Sequence, residues 1–315
     1  MECTGWLIAG EHTLLDFSTQ HCIIKVSPTD RPAARPENRL LRTQKPVSRL
    51  RRAALPILLV TLFPASAEVR ELVLGVAPLL DEQATRKQFQ PLCDYLTSIT
   101  LLPCRVATRP NYLAYWDTLR RGEDYNLILD DAHFTDYRIQ KMNYRVIAKI
   151  PDTVTYSLAV QKKMNIDDPA KLVGRRIATL GIPSMGAALL NGLFPQPSQQ
   201  PILIEIDTAR EGFELLRSDK VHAVILPTPL VRDEITHGAP FRVLLSTVPI
   251  PHMGFSVAPT IDTETHRALR EALLGANKND NGRAMLRRVG LERFDPASPI
   301  LYKGYGRTLQ EYWGY

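Results

Sequence analysis

The chain has 315 residues, with 39 basic and 33 acidic side chains and four cysteines. That length is enough for one large or two small α/β domains with a proper core. Nine basic and five acidic residues fall in the first 67, leaving thirty against twenty-eight beyond them, so the formal +6 is largely a property of the leader and makes no case for nucleic-acid binding, which wants a clustered basic face.

Within that leader, Arg49-Leu50-Arg51-Arg52 is followed by eleven residues from Ala53 to Phe63 and then by Ala65-Ser66-Ala67. A positive segment, a short apolar segment and an A-x-A site read as a secretory signal peptide over 49–67. A membrane-spanning helix needs about 20 apolar residues, and Pro56 interrupts this run, so cleavage is favoured over an anchor. No cysteine follows for lipid attachment. The remainder is therefore expected outside the cytoplasm. Residues 1–48 are polar, Pro- and Arg-rich, and lack sustained periodicity. They read as a start codon set too far upstream, with a functional extension as the alternative. Cys3 and Cys22 lie here. Cys93 and Cys104 remain as an even pair in an oxidising compartment, which allows a disulfide or two buried thiols. Their spacing is not that of a zinc site, and no metal ligands are expected.

From Glu68 onward the elements alternate. Glu71 to Val76 is a β-rich run broken by Gly75. Phe89, Leu92, Cys93 and Leu96 recur at helical spacing. Arg105 to Thr108 reads as a strand, and Tyr112 to Leu119 as a helix ended by Gly122. Asn126 to Leu129 is an apolar strand, Thr135 to Lys141 a helix and Tyr144 to Ile150 a strand. The pattern then restarts. Strands are expected at Thr155–Val160, Arg175–Leu180, Ile202–Ile206, Ala223–Leu226, Phe241–Ser246 and Gly254–Ala258. Helices are expected at Ala187–Phe194 and Ala209–Leu216, and from Thr263 to about Arg288. Such alternation argues for helix-covered, mainly parallel sheets, in two units.

Four segments carry a family resemblance: L-V-L-G-V-A-P-L-L-D (72–81) with F-Q-P-L-C-D-Y-L (89–96); N-Y-L-A-Y-W-D-T-L-R-R-G (111–122) with D-D-A-H-F (130–134); L-V-G-R-R-I-A-T (172–179) with P-S-M-G (183–186); and D-T-A-R-E-G-F-E-L-L-R-S-D-K-V-H-A-V (207–224). In order and spacing the chain resembles the substrate-binding proteins of phosphate/phosphite/phosphonate ABC transporters. The resemblance implies the type II periplasmic-binding-protein fold, an α/β architecture of two lobes joined by two crossover strands. Lobe one would hold 68–155 plus 252–315, and lobe two 156–251. It implies a periplasmic, monomeric protein without cofactor, which holds a small anion in the cleft and closes around it for a permease.

Candidate cleft residues follow. Ser184, Met185 and Gly186 form a loop before a helix, where free N–H groups and the dipole favour an anion. Ser184 also suits a plain N-cap. Relatives are rich in Ser and Thr here, so Met185 is a departure. Tyr112 would supply an aromatic wall. Asp130, Asp131, His133 and Phe134 follow a strand's C-terminal end, the edge that faces the crevice in open α/β sheets. The family commonly has Gly-Pro and then Tyr there, and a carboxylate would repel an anion. Asp207 reads as a cleft residue or as an N-cap. Thr228 follows another strand on the same edge. Asn111 and the Leu79–Asp81 loop are weaker candidates.

The chain has no G-x-S-x-G, no H-E-x-x-H and no G-x-x-x-x-G-K-[ST]. The expectation is a binding protein, not an enzyme. A periplasmic sensor signalling to a membrane receptor kinase or cyclase, or a binder of a non-phosphorus ligand, would fit the same fold.

Overall fold

The first strand, β1 (Leu72–Val76), is buried along its whole length. Gly75 does not break it: a Cβ there would come within 2.7 Å of the Tyr125 ring, which lies across the strand. The computed structural model describes residues 69–122 and 124–309. The extension over 1–48 and the signal peptide over 49–67 lie outside the described residues. Among the described residues, no helix is long and apolar enough to cross a membrane.

After β1 come α1 (Glu82–Thr100), β2 (Cys104–Ala107), α2 (Tyr112–Arg121), β3 (Leu127–Asp130), α3 (Ala132–Met142) and β4 (Arg145–Lys149). A short strand β5 (Thr153–Val154) leads to β6 (Tyr156–Gln161), β7 (Arg176–Thr179), α4 (Met185–Leu193), β8 (Ile202–Glu205), α5 (Ala209–Arg217), β9 (Ala223–Pro227), α6 (Thr228–Thr236) and β10 (Phe241–Ser246). The chain then runs through β11 (Ile250–Pro251), β12 (Gly254–Val257), α7 (Thr263–Gly275), α8 (Asp280–Val289), β13 (Asp295–Pro296) and α9 (Pro299–Tyr302). The helix α6 was not expected from the sequence. Pro229 lies in its first turn, where a missing N–H costs nothing.

Among the described residues there are two larger sheets. One has the order β13-β4-β12-β3-β1-β2, the other β10-β6-β9-β7-β8. In the first, β1 pairs in parallel with β2 and β3, while β12 runs antiparallel between β3 and β4. In the second, β7 pairs in parallel with β8 and β9, while β6 runs antiparallel between β9 and β10. Most strands of each sheet thus share a direction, but the pairing is mixed. The reason is topological. Of the strands that run opposite, β6 and β12 are those by which the chain arrives from the other sheet, and the third, β13, is a two-residue strand on the edge beside β4. The connections themselves pair as β5 with β11, Val154 opposite Ile250.

Local signals set the helix starts. Asp81 accepts from the Ala84 N–H at 2.8 Å, Asn111 from Ala114 at 2.9 Å and Thr208 from Glu211 at 3.2 Å. Asp207 is therefore not the cap of α5. Its own N–H donates to Glu211 at 2.9 Å, and Thr208 caps. Ser184 caps α4 through Ala187 at 3.3 Å, so this helix opens at Met185, two residues ahead of the sequence expectation.

The strand β3 runs one residue beyond its apolar stretch and ends in Asp130. Asp130 and Arg138 are fully buried and form a two-pronged ion pair at 2.5 and 2.6 Å. Tyr115 Oη donates to the same carboxylate at 2.8 Å, Thr135 Oγ1 reaches it at 3.2 Å, and Arg138 also donates to Ser256 at 3.2 Å on β12. The carboxylate raises the already high Arg138 pKa against the opposing effect of burial. Elsewhere a disulfide joins Cys93 in α1 to Cys104 in β2, beside the β1–β2 pairing.

Two outcomes follow from these contacts. Arg138→Met leaves a buried carboxylate unpaired and should cost about 3–5 kcal/mol, read by urea unfolding. Replacing both Cys93 and Cys104 by Ala should cost about 3 kcal/mol by loop-closure entropy, and reductant should then no longer shift the midpoint.

Candidate functional site

The two sheets present corresponding edges to one another. From the first come Asp131, next after the C-terminal end of β3, and His133 in the first turn of α3. From the second come Thr179 at the end of β7 and Tyr156 at the start of β6. Because β6 runs antiparallel to β9, Tyr156 sits opposite Pro227, the last residue of β9. That register brings the first residue of β6 to the same edge as the strand ends.

Side chains bridge the sheets here. Tyr112 Oη donates to Asp131 Oδ2 at 2.9 Å, and the Tyr156 hydroxyl faces the same carboxylate. His133 Nε2 lies 2.8 Å from the Pro183 carbonyl. A carbonyl only accepts, so Nε2 carries the proton and Nδ1 is a bare acceptor. At the rim, Asn111 Nδ2 donates to Asp207 at 3.1 Å, and Arg210 donates to Asp81 at 2.6 Å.

Two polar atoms in this region are buried without a hydrogen-bond partner: His133 Nδ1 and Thr179 Oγ1. Such groups are costly when left unmade, and each asks for a physical reason. A Cβ on Gly186 would sit 3.2 Å from the Ile225 carbonyl, 3.3 Å from Thr179 Oγ1 and 3.5 Å from the Tyr156 ring. The α4 N-terminus thus approaches Thr179 and Tyr156 because residue 186 has no side chain.

Electrostatics sets these groups apart. Burial, chiefly, and the Asp130 charge push Asp131 up to about 7, against the opposing pull of the Tyr112 and Tyr156 hydroxyls. Burial lowers His133 to about 4, opposed by its bond to Pro183. Burial and then the Asp131 charge hold Tyr112 and Tyr156 well above the usual tyrosine range. Arg138 is already bound to Asp130. Attraction for an anion therefore falls to the α4 N-terminus and to hydroxyls.

The remaining expected residues are distributed as follows. Ser184 and Met185 are buried beside Gly186 at the start of α4. Phe134 lies in an aromatic cluster with Tyr112, Tyr115 and Trp116, with centroids at 6.1, 5.6 and 5.7 Å. Asp207 is exposed at the rim. Thr228 bonds Thr155 and Ser157 hydroxyls at 2.7 and 2.8 Å, and lines a separate cavity of about 410 Å³ with Thr153, Arg232 and Asp233. Tyr156, Thr179 and Arg138 were missed. Thr179 was findable, as the last residue of a strand. Tyr156 was not, since it opens an incoming antiparallel strand. Among the described residues no cluster of acidic, His or Cys side chains suits a metal ion.

The family model described as "ABC transporter, phosphonate, periplasmic substrate-binding protein" matches residues 74–302. The chain belongs to this family. Its members bind a small molecule for a transporter, which is the class of work assigned to this chain. No curated protein matches it in sequence. Among solved structures, it is similar to PhnD1 from Prochlorococcus marinus in complex with methylphosphonate, at 16% identity and a TM-score of 0.66 over 77% of this chain and 99% of that one. A binding component of an ABC phosphonate transporter from Pseudomonas aeruginosa matches at 13% identity and a TM-score of 0.63 over 76% and 88%. XAC2383 from Xanthomonas citri bound to ATP matches at 16% identity and 0.64 over 77% and 98%. At these identities the likeness is one of fold, the type II periplasmic-binding-protein fold.

The pKa shifts predict a pH profile. Asp131 is raised, so its folded form holds a proton the unfolded chain has lost, and its contribution falls as pH rises from about 4 to about 7. His133 and His252 are both lowered to about 4, so theirs is complete above about pH 6.5 and lost on acidification. The two effects oppose. Asp131→Asn should therefore steepen the rise in stability between about pH 4 and 6.5, by about 1.4 kcal/mol per pH unit, and remove the decline toward pH 7. Urea unfolding across this range reads it.

Proposed function

We propose that this chain captures a small oxyanion of the phosphate, phosphite or phosphonate kind between its two sheets and delivers it to an ABC permease. The sheets act as lobes, residues 68–155 with 252–315 against 156–251, hinged on the paired strands β5 and β11. The chain works as a monomer in the periplasm, without cofactor or catalysis. The observation that carries this reading is the unpartnered Thr179 hydroxyl beside the α4 N-terminus, where Gly186 leaves room for close approach. A hydroxyl and free backbone N–H groups at a helix start suit an oxyanion. Tyr112 and Tyr156 add donors from either side, and Ser184 and Met185 hold the turn.

Thermal unfolding of the purified protein with phosphate, phosphite and methylphosphonate tests it. A ligand at a hundred times its dissociation constant should add about 2.7 kcal/mol. Gly186→Val, which drives a branched side chain at the Ile225 carbonyl and Thr179, should abolish the shift. Stabilisation by organic amines alone would favour a non-phosphorus ligand instead.

A further inference from the structure

Asp131 is the N-cap residue of α3 but makes no side-chain capping bond. Asp81, Asn111, Ser184 and Thr208, in the same role, all cap. The Asp131 carboxylate instead accepts from Tyr112 on α2 and faces the Tyr156 hydroxyl on β6, one hydroxyl from either side of the cleft. It is only 6% exposed. A helix start normally welcomes a carboxylate, so a carboxylate that forgoes its cap is held by something stronger. Two phenol hydroxyls facing one carboxylate are what a bound phosphoryl or phosphonyl group would also demand.

We propose that Asp131 is a built-in competitor for the ligand site, which bars an oxyanion while its carboxylate is charged and admits one only together with a proton. The inference rests on the oxyanion reading given above and adds the charge state that the cleft accepts. Protonation removes the charge and turns one acceptor oxygen into a donor, which releases a tyrosine hydroxyl for the ligand.

The groups facing Asp131 make it the titrating member. Tyr112 from α2 and Tyr156 from β6 stay protonated, both being raised well above their usual range. Asp130, at the end of β3, is paired with Arg138 of α3. His133 in α3 is neutral above about pH 4. Asp131 itself lies near 7, principally through burial.

The test compares methylphosphonate binding to the wild-type protein and to Asp131→Asn by isothermal titration at about pH 5.5 and about pH 8.5. The ligand's own proton titrates identically for both proteins, so it cancels in the ratio of affinities. Asparagine keeps an acceptor for the tyrosines and is a good N-cap, and Asp131→Ser should behave alike. The ratio should be near one at the lower pH and about thirtyfold in favour of the variants at the higher. Binding by all proteins with a ratio that does not change with pH overturns the inference and leaves the oxyanion reading standing. Weaker binding by the variants at both pH values also overturns it, because Asp131 would then be a ligand contact. No binding of methylphosphonate, phosphite or phosphate by any of the proteins overturns the oxyanion reading, and this inference with it.

Discussion

The buried pair between Asp130 and Arg138 is the constraint on which the candidate site depends. It joins the end of β3 to the middle of α3, and through Ser256 it reaches β12, the strand by which the chain returns to its first sheet. Removing two charges from water is expensive, and the pair is tolerable only because the geometry is two-pronged and Tyr115 and Thr135 complete the carboxylate. By fixing where β3 stops and how α3 leaves it, the pair also fixes where Asp131 and His133 stand.

The same pair determines what those neighbours can be. Arg138 is committed to Asp130, so Asp131, one residue on, has no cation of its own. It meets burial and the adjacent carboxylate instead, and both work against its charge. Two neighbouring aspartates thus have different characters. One is an anchor within the core, and the other is a hydrogen-bond hub between the sheets. His133 follows the same logic in the opposite sense, with burial keeping it neutral and one nitrogen committed to Pro183.

Between the sheets, the contacts grade from buried to exposed. Tyr112, Tyr156, Asp131 and His133 make the inner ones, while Asn111 with Asp207 and Arg210 with Asp81 make those at the rim. Exposed ion pairs are worth little, so the rim aligns the two halves more than it binds them. The energetic weight lies with the inner bonds, which involve groups that burial has already made sensitive to protons.

The sequence by itself determined most of the succession of strands and helices, and the family. Periodicity, cap residues and the Gly122 stop act over a few residues and are written locally. It also placed Ser184, Gly186, Tyr112, Asp131 and His133 at strand ends and helix starts. Only the tertiary structure decided what these groups do. That Gly75 accommodates Tyr125, that Thr208 and not Asp207 caps α5, and that Thr228 turns to Thr155 and Ser157 are all matters of through-space neighbours. The clearest instance is Asp130 and Asp131: identical side chains, adjacent in the chain, given different roles by Arg138 eight positions after the first and by Tyr156 from the other sheet. Burial and partner are set by how the two sheets meet, and no local pattern encodes that meeting.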